Sequence, residues 1–257
     1  GADRNSLIIN VGGGVVCDLG AFIASTYKRG ISFVNVPTSL LAMVDASVGG
    51  KNGINFEGLK NQLGTFTQPD FVLVDSDFLA SLPQEEWESG HAEMLKHALL
   101  SGNRWTELLA LEPTALALDD IEQSVAFKAD IVREDFKENG KRKILNLGHT
   151  TGHAWESYAA VSGNPCTHGS AVIQGLHVAL MLSGLQDEQS ALAQRYPWQV
   201  VEEEALQPLW ERQLQDKKNA NGEVRYVLLE RFGRPVWDVE ITFERWTAAV
   251  LALNSAS

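Results

Sequence analysis

Short apolar runs and helical repeats alternate along the first third of the chain. Leu7 to Val11, Ile31 to Val36 and Phe71 to Val74 are β-branched or aromatic runs bounded by Gly, Pro or Asp, a pattern that predicts strands. Between the first two, Leu19, Phe22, Ile23 and Tyr27 recur at helical spacing within Asp18 to Tyr27. This predicts a βαβ unit with a parallel sheet. From Pro83 onward, a residue tolerated in a first helical turn, the repeat is helical: Gln84 to Leu100, Arg104 to Leu111, Ile121 to Asn139, His149 to Val161 and His168 to Leu185. Val224 to Leu229 and Val236 to Val239 predict a small hairpin. The expected class is α/β, with a parallel-sheet part over 1–82 and a mainly α-helical part over 83–257.

Charge refines this picture. The 257 residues carry 21 Lys plus Arg against 33 Asp plus Glu, a net charge of −12. That charge argues against an indiscriminate binder of nucleic acid or anionic membrane, which would need a net basic face, so neither is an expected partner. The acidic excess sits in 83–135, with 4 basic and 12 acidic residues, whereas 136–185 reverses it with 4 against 2. An anionic small molecule can therefore meet a locally basic segment. With 44% hydrophobic residues the chain can build a core, and no apolar run is long enough to span a bilayer, so a soluble protein is expected. Two cysteines, Cys17 and Cys166, make no disulfide framework, which fits a cytoplasmic setting. The chain opens Gly1-Ala2-Asp3 without Met, and a start partway through a larger protein is expected.

Three clusters carry candidate chemistry. Gly12-Gly13-Gly14-Val15-Val16-Cys17-Asp18 follows a strand and opens a helix, where glycines let the backbone approach a pyrophosphate and the helix N-terminus offers free N–H groups. An ordinary glycine turn competes evenly with that reading, because the Gly-x-Gly-x-x-Gly form and a ribose-gripping acid are both missing. Asp45-Ala46-Ser47-Val48-Gly49-Gly50-Lys51-Asn52, followed by Lys60-Asn61, reads as a loop whose cations and amides converge on anionic oxygens. His149 and His153 share one helix face, but position 150 is Thr where a zinc-peptidase motif needs Glu. With Glu93 and His168 they make four groups, any three of which suit a catalytic metal site. His91, His97, His177 and Cys166 read as structural.

The motifs stand in a familiar order: Gly-Gly-Gly-x-x-x-Asp18, Thr26-Tyr27-x-Arg29-Gly30, Pro37-Thr38-Ser39-Leu40-Leu41-Ala42, Val44-Asp45-x-Ser47-Val48-Gly49-Gly50-Lys51, Lys60-Asn61, Ala92-Glu93-x-x-Lys96, Leu145-Asn146-x-Gly148-His149-Thr150-x-Gly152-His153, His168-Gly169 and Asp216-Lys217-Lys218. From about residue 7 to residue 229 the chain resembles the 3-dehydroquinate synthases, members of the sugar phosphate cyclase superfamily. The resemblance implies a dehydroquinate synthase-like fold: a partial Rossmann-like NAD domain and a helical metal- and substrate-binding domain. It implies cyclisation of 3-deoxy-D-arabino-heptulosonate 7-phosphate in the shikimate pathway of aromatic amino acid biosynthesis, with loss of phosphate, NAD as transient oxidant and Zn2+ or Co2+ as Lewis acid. Glu93, His149 and His168 are then the metal ligands, and His153 is left for proton relay. Gly13, Gly14, Val15, Val16, Cys17, Asp18, Thr38, Ser39, Lys51, Lys60 and Ser81 line the NAD site. Asp45, Lys51, Lys96, Lys128, Glu138, Arg142 and Asn146 serve catalysis, with Lys128 and Arg142 on the carboxylate. Asn61, Asn146 and one of Lys217 or Lys218 meet phosphate, and Arg29 reaches a neighbouring subunit, which implies a homodimer.

Three positions depart from the family pattern: Ser170 stands where Glu is common, Asn52 where Thr is usual, and Ser39 for a frequent Thr. The first two touch support of metal or cofactor, whereas Ser39 keeps a hydroxyl. The family has further strands and helices before the Gly-Gly-Gly loop, so weak or absent NAD binding by this chain alone is expected. The competing readings are a sister cyclase acting on sedoheptulose 7-phosphate, a metal-dependent alcohol or glycerol dehydrogenase, and a non-catalytic fragment.

Overall fold

The computed structural model of the chain describes residues 1–56, 59–215 and 223–256, and their side chains except at 56 and 59–61. The expectations for Lys217 and Lys218, and for the side chains of Lys60 and Asn61, lie outside the described residues. Two compact units are present, Gly1–His91 with Pro113–Arg142, and Ala92–Glu112 with Lys143–Ser257.

In the first unit, β1 (Leu7–Gly12) and β2 (Ser32–Pro37) pair in parallel, Leu7 opposite Ser32 and Gly12 opposite Pro37, with α1 (Gly14–Thr26) crossing between them. The βαβ unit is therefore present. Ala21 and Ala24 of α1 pack on Ile31 and Phe33, with Ile8 alongside. Gly20 permits this approach, because a Cβ there would stand 1.8 Å from the Asn10 Oδ1. Asn10 in turn donates to Asn35 across the strand pair at 2.9 Å, so the buried amides satisfy each other.

The run Phe71 to Val74 does not become a full strand; it meets β2 in one parallel bridge, Asn35 to Val72. Asp75 ends it by accepting the Asp77 N–H at 3.0 Å, which caps the 3-10 turn Ser76–Ser81. The polar stretch after Asp45, expected as a loop, is also structured. Ala42–Ala46 forms a π-helical turn, and β3 (Lys51–Phe56) then pairs antiparallel with β4 (Leu59–Phe66). Its Asn and Gly residues carry no apolar alternation to announce a strand, yet the ladder satisfies their backbone groups, and Asn52 adds a bond to the Thr67 carbonyl at 2.9 Å. The last helix of this unit, α4 (Leu118–Glu134), stops short of the predicted Asn139. Asp135 accepts the N–H groups of Asn139, Gly140 and Arg142 at 2.9, 2.8 and 3.0 Å, so a carboxylate, not a continued α-helix, organises the segment that leads into the 3-10 turn Lys141–Asn146.

The second unit contains α2 (Gln84–Ser101) from Ala92 onward, α3 (Trp105–Ala110), α5 (His149–Val161) and α6 (His168–Ser183). It also holds α7 (Gln186–Arg195), α8 (Glu203–Leu214), the antiparallel hairpin β5 (Val224–Arg231) with β6 (Arg234–Ile241), and α9 (Phe243–Ala256). Helix α6 is buried along most of its length and ends at Gly184, whose φ of +74° favours a glycine. Helices α5 and α6 touch backbone to backbone. A Cβ on Gly175 would lie 1.8 Å from the Gly148 carbonyl oxygen, and one on Gly152 would lie 3.0 Å from that of Ala171. On the other side of α5, Thr151 shares a hydrogen bond of 2.8 Å with the Tyr226 hydroxyl, which also donates to Gln213. Among the described residues no helix is long and apolar enough to cross a membrane.

Candidate metal centre and nucleotide loop

The close approach of α5 and α6 decides where two imidazoles stand. His149 is the first residue of α5, after Gly148 in the left-handed conformation. His168 is the first residue of α6, where Thr167 caps the helix by accepting the Ser170 N–H at 3.2 Å. Ser170, one of the departures, thus supports the helix start through its backbone. Opposite the two rings lies Glu93 of α2, which is wholly buried. Its Oε1 is 3.3 Å from His168 Nε2 and 3.4 Å from His149 Nε2.

These three donor atoms all lie within 4.8 Å of one another. Two imidazole nitrogens and one carboxylate oxygen at such spacing suit a divalent ion with an open position. Protonation favours the same use. Burial and the Lys96 ammonium push the His149 pKa well below its ordinary value, so the ring is neutral at pH 7 and can donate a lone pair. Burial alone would raise Glu93, but the Lys96 ammonium holds it well below the usual carboxylate range. Lys96, itself buried, forms an ion pair with Glu93 Oε2. The ring of His153 is 5.2 Å from that of His149 and 6.1 Å from that of His168, beside the group but not in it. Asn146 donates to the Lys143 carbonyl at 3.0 Å.

In the first unit, Gly13 caps α1 without a side-chain bond, and the first turn carries no acid. That open helix start fits a phosphate. Val15 is 81% exposed there, and Val16 is exposed as well. Cys17 points into the core, and burial followed by the Asp18 charge pushes its thiol up to about 11. Thr38 bonds through its N–H to Gly12 at 2.9 Å, and Ser39 accepts from Ala42 at 3.3 Å. Ser81 is exposed at the end of its turn, and Arg29 is exposed at φ +72°.

Charged groups of the same unit are paired. Lys128 donates to the Asp45 carbonyl at 2.5 Å and to its carboxylate at 2.6 Å, while Lys51 is paired with Glu138. Arg142 donates to the Phe136 carbonyl at 2.6 Å and lies so close to Gly49 that a Cβ there would be 2.6 Å from its nitrogen. Burial lowers the Arg142 pKa, with Glu138, Asp45 and Asp135 opposing the shift. Sequence reading had no signal for the carbonyl of Phe136 or the cap at Asp135. It also passed over Glu156, although its place seven residues after His149 put it on the same face of α5.

Asp18 yields a pH prediction. Burial, then repulsion from Asp45, raises its pKa from 3.8 to about 7, with Lys128 partly opposing. Because the folded value exceeds the unfolded one, stability is lost as pH rises from about 4 through 7, and none is lost below 4. Asp18→Asn should match the parent at pH 4 and exceed it by about 4 kcal/mol at pH 8. Denaturant melts at the two pH values check this; an equal difference at both would refute it.

The chain combines a parallel βαβ unit bearing an open glycine turn with a helical unit bearing a Glu-His-His group, and solved sugar phosphate cyclases share this fold. A 2-deoxy-scyllo-inosose synthase, whose structure contains carbaglucose-6-phosphate, NAD+ and Co2+, superposes at a TM-score of 0.83 with 23% identity, over 99% of this chain and 74% of that one. The 2-epi-5-epi-valiolone synthase of Streptomyces hygroscopicus subsp. jinggangensis, with NAD+ and Zn2+ bound, gives 0.82 with 24% identity, over 100% and 76%. The 3-dehydroquinate synthase N-terminal model matches residues 1–89 and the C-terminal model residues 90–219. The 3-dehydroquinate synthase of Leptospira interrogans is 44% identical over 259 aligned positions, 95% of this chain and 71% of its relative. The chain belongs to the 3-dehydroquinate synthase family.

Proposed function

We propose that the chain converts 3-deoxy-D-arabino-heptulosonate 7-phosphate to 3-dehydroquinate and phosphate, as a carbon–oxygen lyase. The observation that carries this reading is the match of both family models over residues 1–219. When bound, NAD supplies a hydride acceptor that is used and regenerated within one turnover, and a divalent ion supplies Lewis acidity to the alcohol being oxidised. Glu93, His149 and His168 would hold the ion, zinc or cobalt, a choice supported by their mixed nitrogen and oxygen donors. Gly13, Gly14, Val15 and Val16 would receive the pyrophosphate through their backbone. The buried side chain of Cys17 limits it to the same backbone role.

The chain's other groups bind and orient the substrate. Lys128 and Arg142, both buried cations, would hold its carboxylate, and Asn146 its phosphate. His153, beside the metal group, would carry a proton towards the leaving phosphate. Asp45, Lys51, Lys96 and Glu138 complete the polar set. Residues 1–82 would belong to the NAD-binding domain and 83–257 to the helical metal and substrate domain. A cytoplasmic homodimer, with the exposed Arg29 serving the neighbouring subunit, completes the reading.

Substrate choice is the test. With NAD and Zn2+ or Co2+ in excess, phosphate should be released from the heptulosonate phosphate, which has a carboxylate, and not from sedoheptulose 7-phosphate, which lacks one. Release from the latter alone would indicate a sister cyclase. Steady NADH production from a simple polyol without phosphate release would indicate a dehydrogenase.

A further inference from the structure

We infer that Glu156 is a positioning residue for the metal: it holds the ring of His168 so that Nε2 faces the ion. The inference rests on the Glu93, His149 and His168 reading above. A ligating imidazole presents one nitrogen to the metal, and what its other nitrogen meets decides the tautomer and the ring plane. For His149 that other nitrogen is Nδ1, 3.1 Å from the Leu147 carbonyl oxygen, a backbone partner set by the turn at Gly148. For His168 it is Nδ1 again, and it stands 3.6 Å from Glu156 Oε2. The two ligands are thus held differently, one by main chain and one by a carboxylate.

Position and burial agree with this role. Glu156 lies on α5, seven residues after His149, so the helix that carries one ligand carries the carboxylate that faces the other. The Oε2 atom is shut off from solvent, where a charge acts on a neighbouring ring with little screening. At 3.6 Å the two atoms lie just beyond hydrogen-bond reach, and a movement of about half an ångström closes the gap. The carboxylate stabilises the Nδ1–H tautomer and leaves the Nε2 lone pair for the ion. It also makes that nitrogen a stronger donor.

The test is metal affinity in the whole chain, read by competition with a chromophoric chelator, together with the visible spectrum of the Co2+-loaded protein. Glu156→Gln keeps shape and removes charge; Glu156→Ala removes both. Zn2+ affinity should fall by about 10- to 100-fold in Glu156→Ala and by less in Glu156→Gln, with the Co2+ bands displaced in both. A purely structural role would lower the melting temperature of the metal-free protein and leave affinity and bands alone. Glu93→Gln serves as the control. If it abolishes binding while Glu156→Gln, folded, keeps parental affinity and spectrum, this inference is overturned and the metal site stands. If Glu93→Gln binds as the parent does, the metal site itself is refuted.

Discussion

Glu93→Ala should lose the metal and about 3–5 kcal/mol of stability together, because two charges depend on that one carboxylate. Glu93 is fully buried, and so is its partner Lys96. Cutting the side chain back leaves the Lys96 ammonium with its carboxylate partner gone, and breaking a buried pair costs about 3–5 kcal/mol since one charge remains uncompensated. The same cut removes the only carboxylate oxygen among the three donors grouped within 4.8 Å. Denaturant melts of the metal-free chain measure the first effect and equilibrium dialysis against Zn2+ the second. Glu93→Ala with unchanged stability would mean that Lys96 finds another anion; unchanged zinc binding would move the metal elsewhere.

Gly175→Ala is expected to be at least as damaging, by more than ~3 kcal/mol, although alanine is the better helix former. Its Cβ would sit 1.8 Å from the Gly148 carbonyl oxygen and 2.9 Å from the Gly152 nitrogen, both main-chain atoms that no rotamer change can move aside. Either α5 and α6 separate or the fold is lost, which places the effect well beyond ordinary overpacking. Separation would also draw His149 from His168, so any folded remainder should bind metal weakly. Gly184→Ala is the comparison: nothing lies within 4 Å of its added Cβ, and only its φ of +74° opposes the change, at a cost of ~1 kcal/mol. Equal melting temperatures for the two variants would show that the helix contact is looser than described.

These cases show which parts of the molecule could be read from the chain. The βαβ unit and the long helices follow from periods of two and 3.6, because burial on one face imposes those periods. Hairpin β3–β4 escaped because Asn52, Gly53, Asn55 and Gly64 carry no such period, and its strands are held by ladder bonds that any residue can make. At the site, the spacing of His149 and His153 pointed to the right helix and left the choice of three ligands open. The family resemblance narrowed the choice to Glu93, His149 and His168, and the fold supplies the physical reason: the backbone contact of α5 with α6 brings His168 to His149 and Glu93 and leaves His153 outside that group. Glu156, Leu147 and Asp135 act through the other nitrogen of an imidazole or through backbone N–H groups. Such partners have no residue pattern of their own.

The chemistry turns on where the ion sits. Crystals of the Zn2+-loaded chain, measured on both sides of the zinc absorption edge, locate it without reference to activity. A single anomalous peak about 2.0–2.2 Å from His149 Nε2, His168 Nε2 and a Glu93 oxygen is the expected result. A peak at other residues, or none at these three with zinc bound in solution, would contradict it.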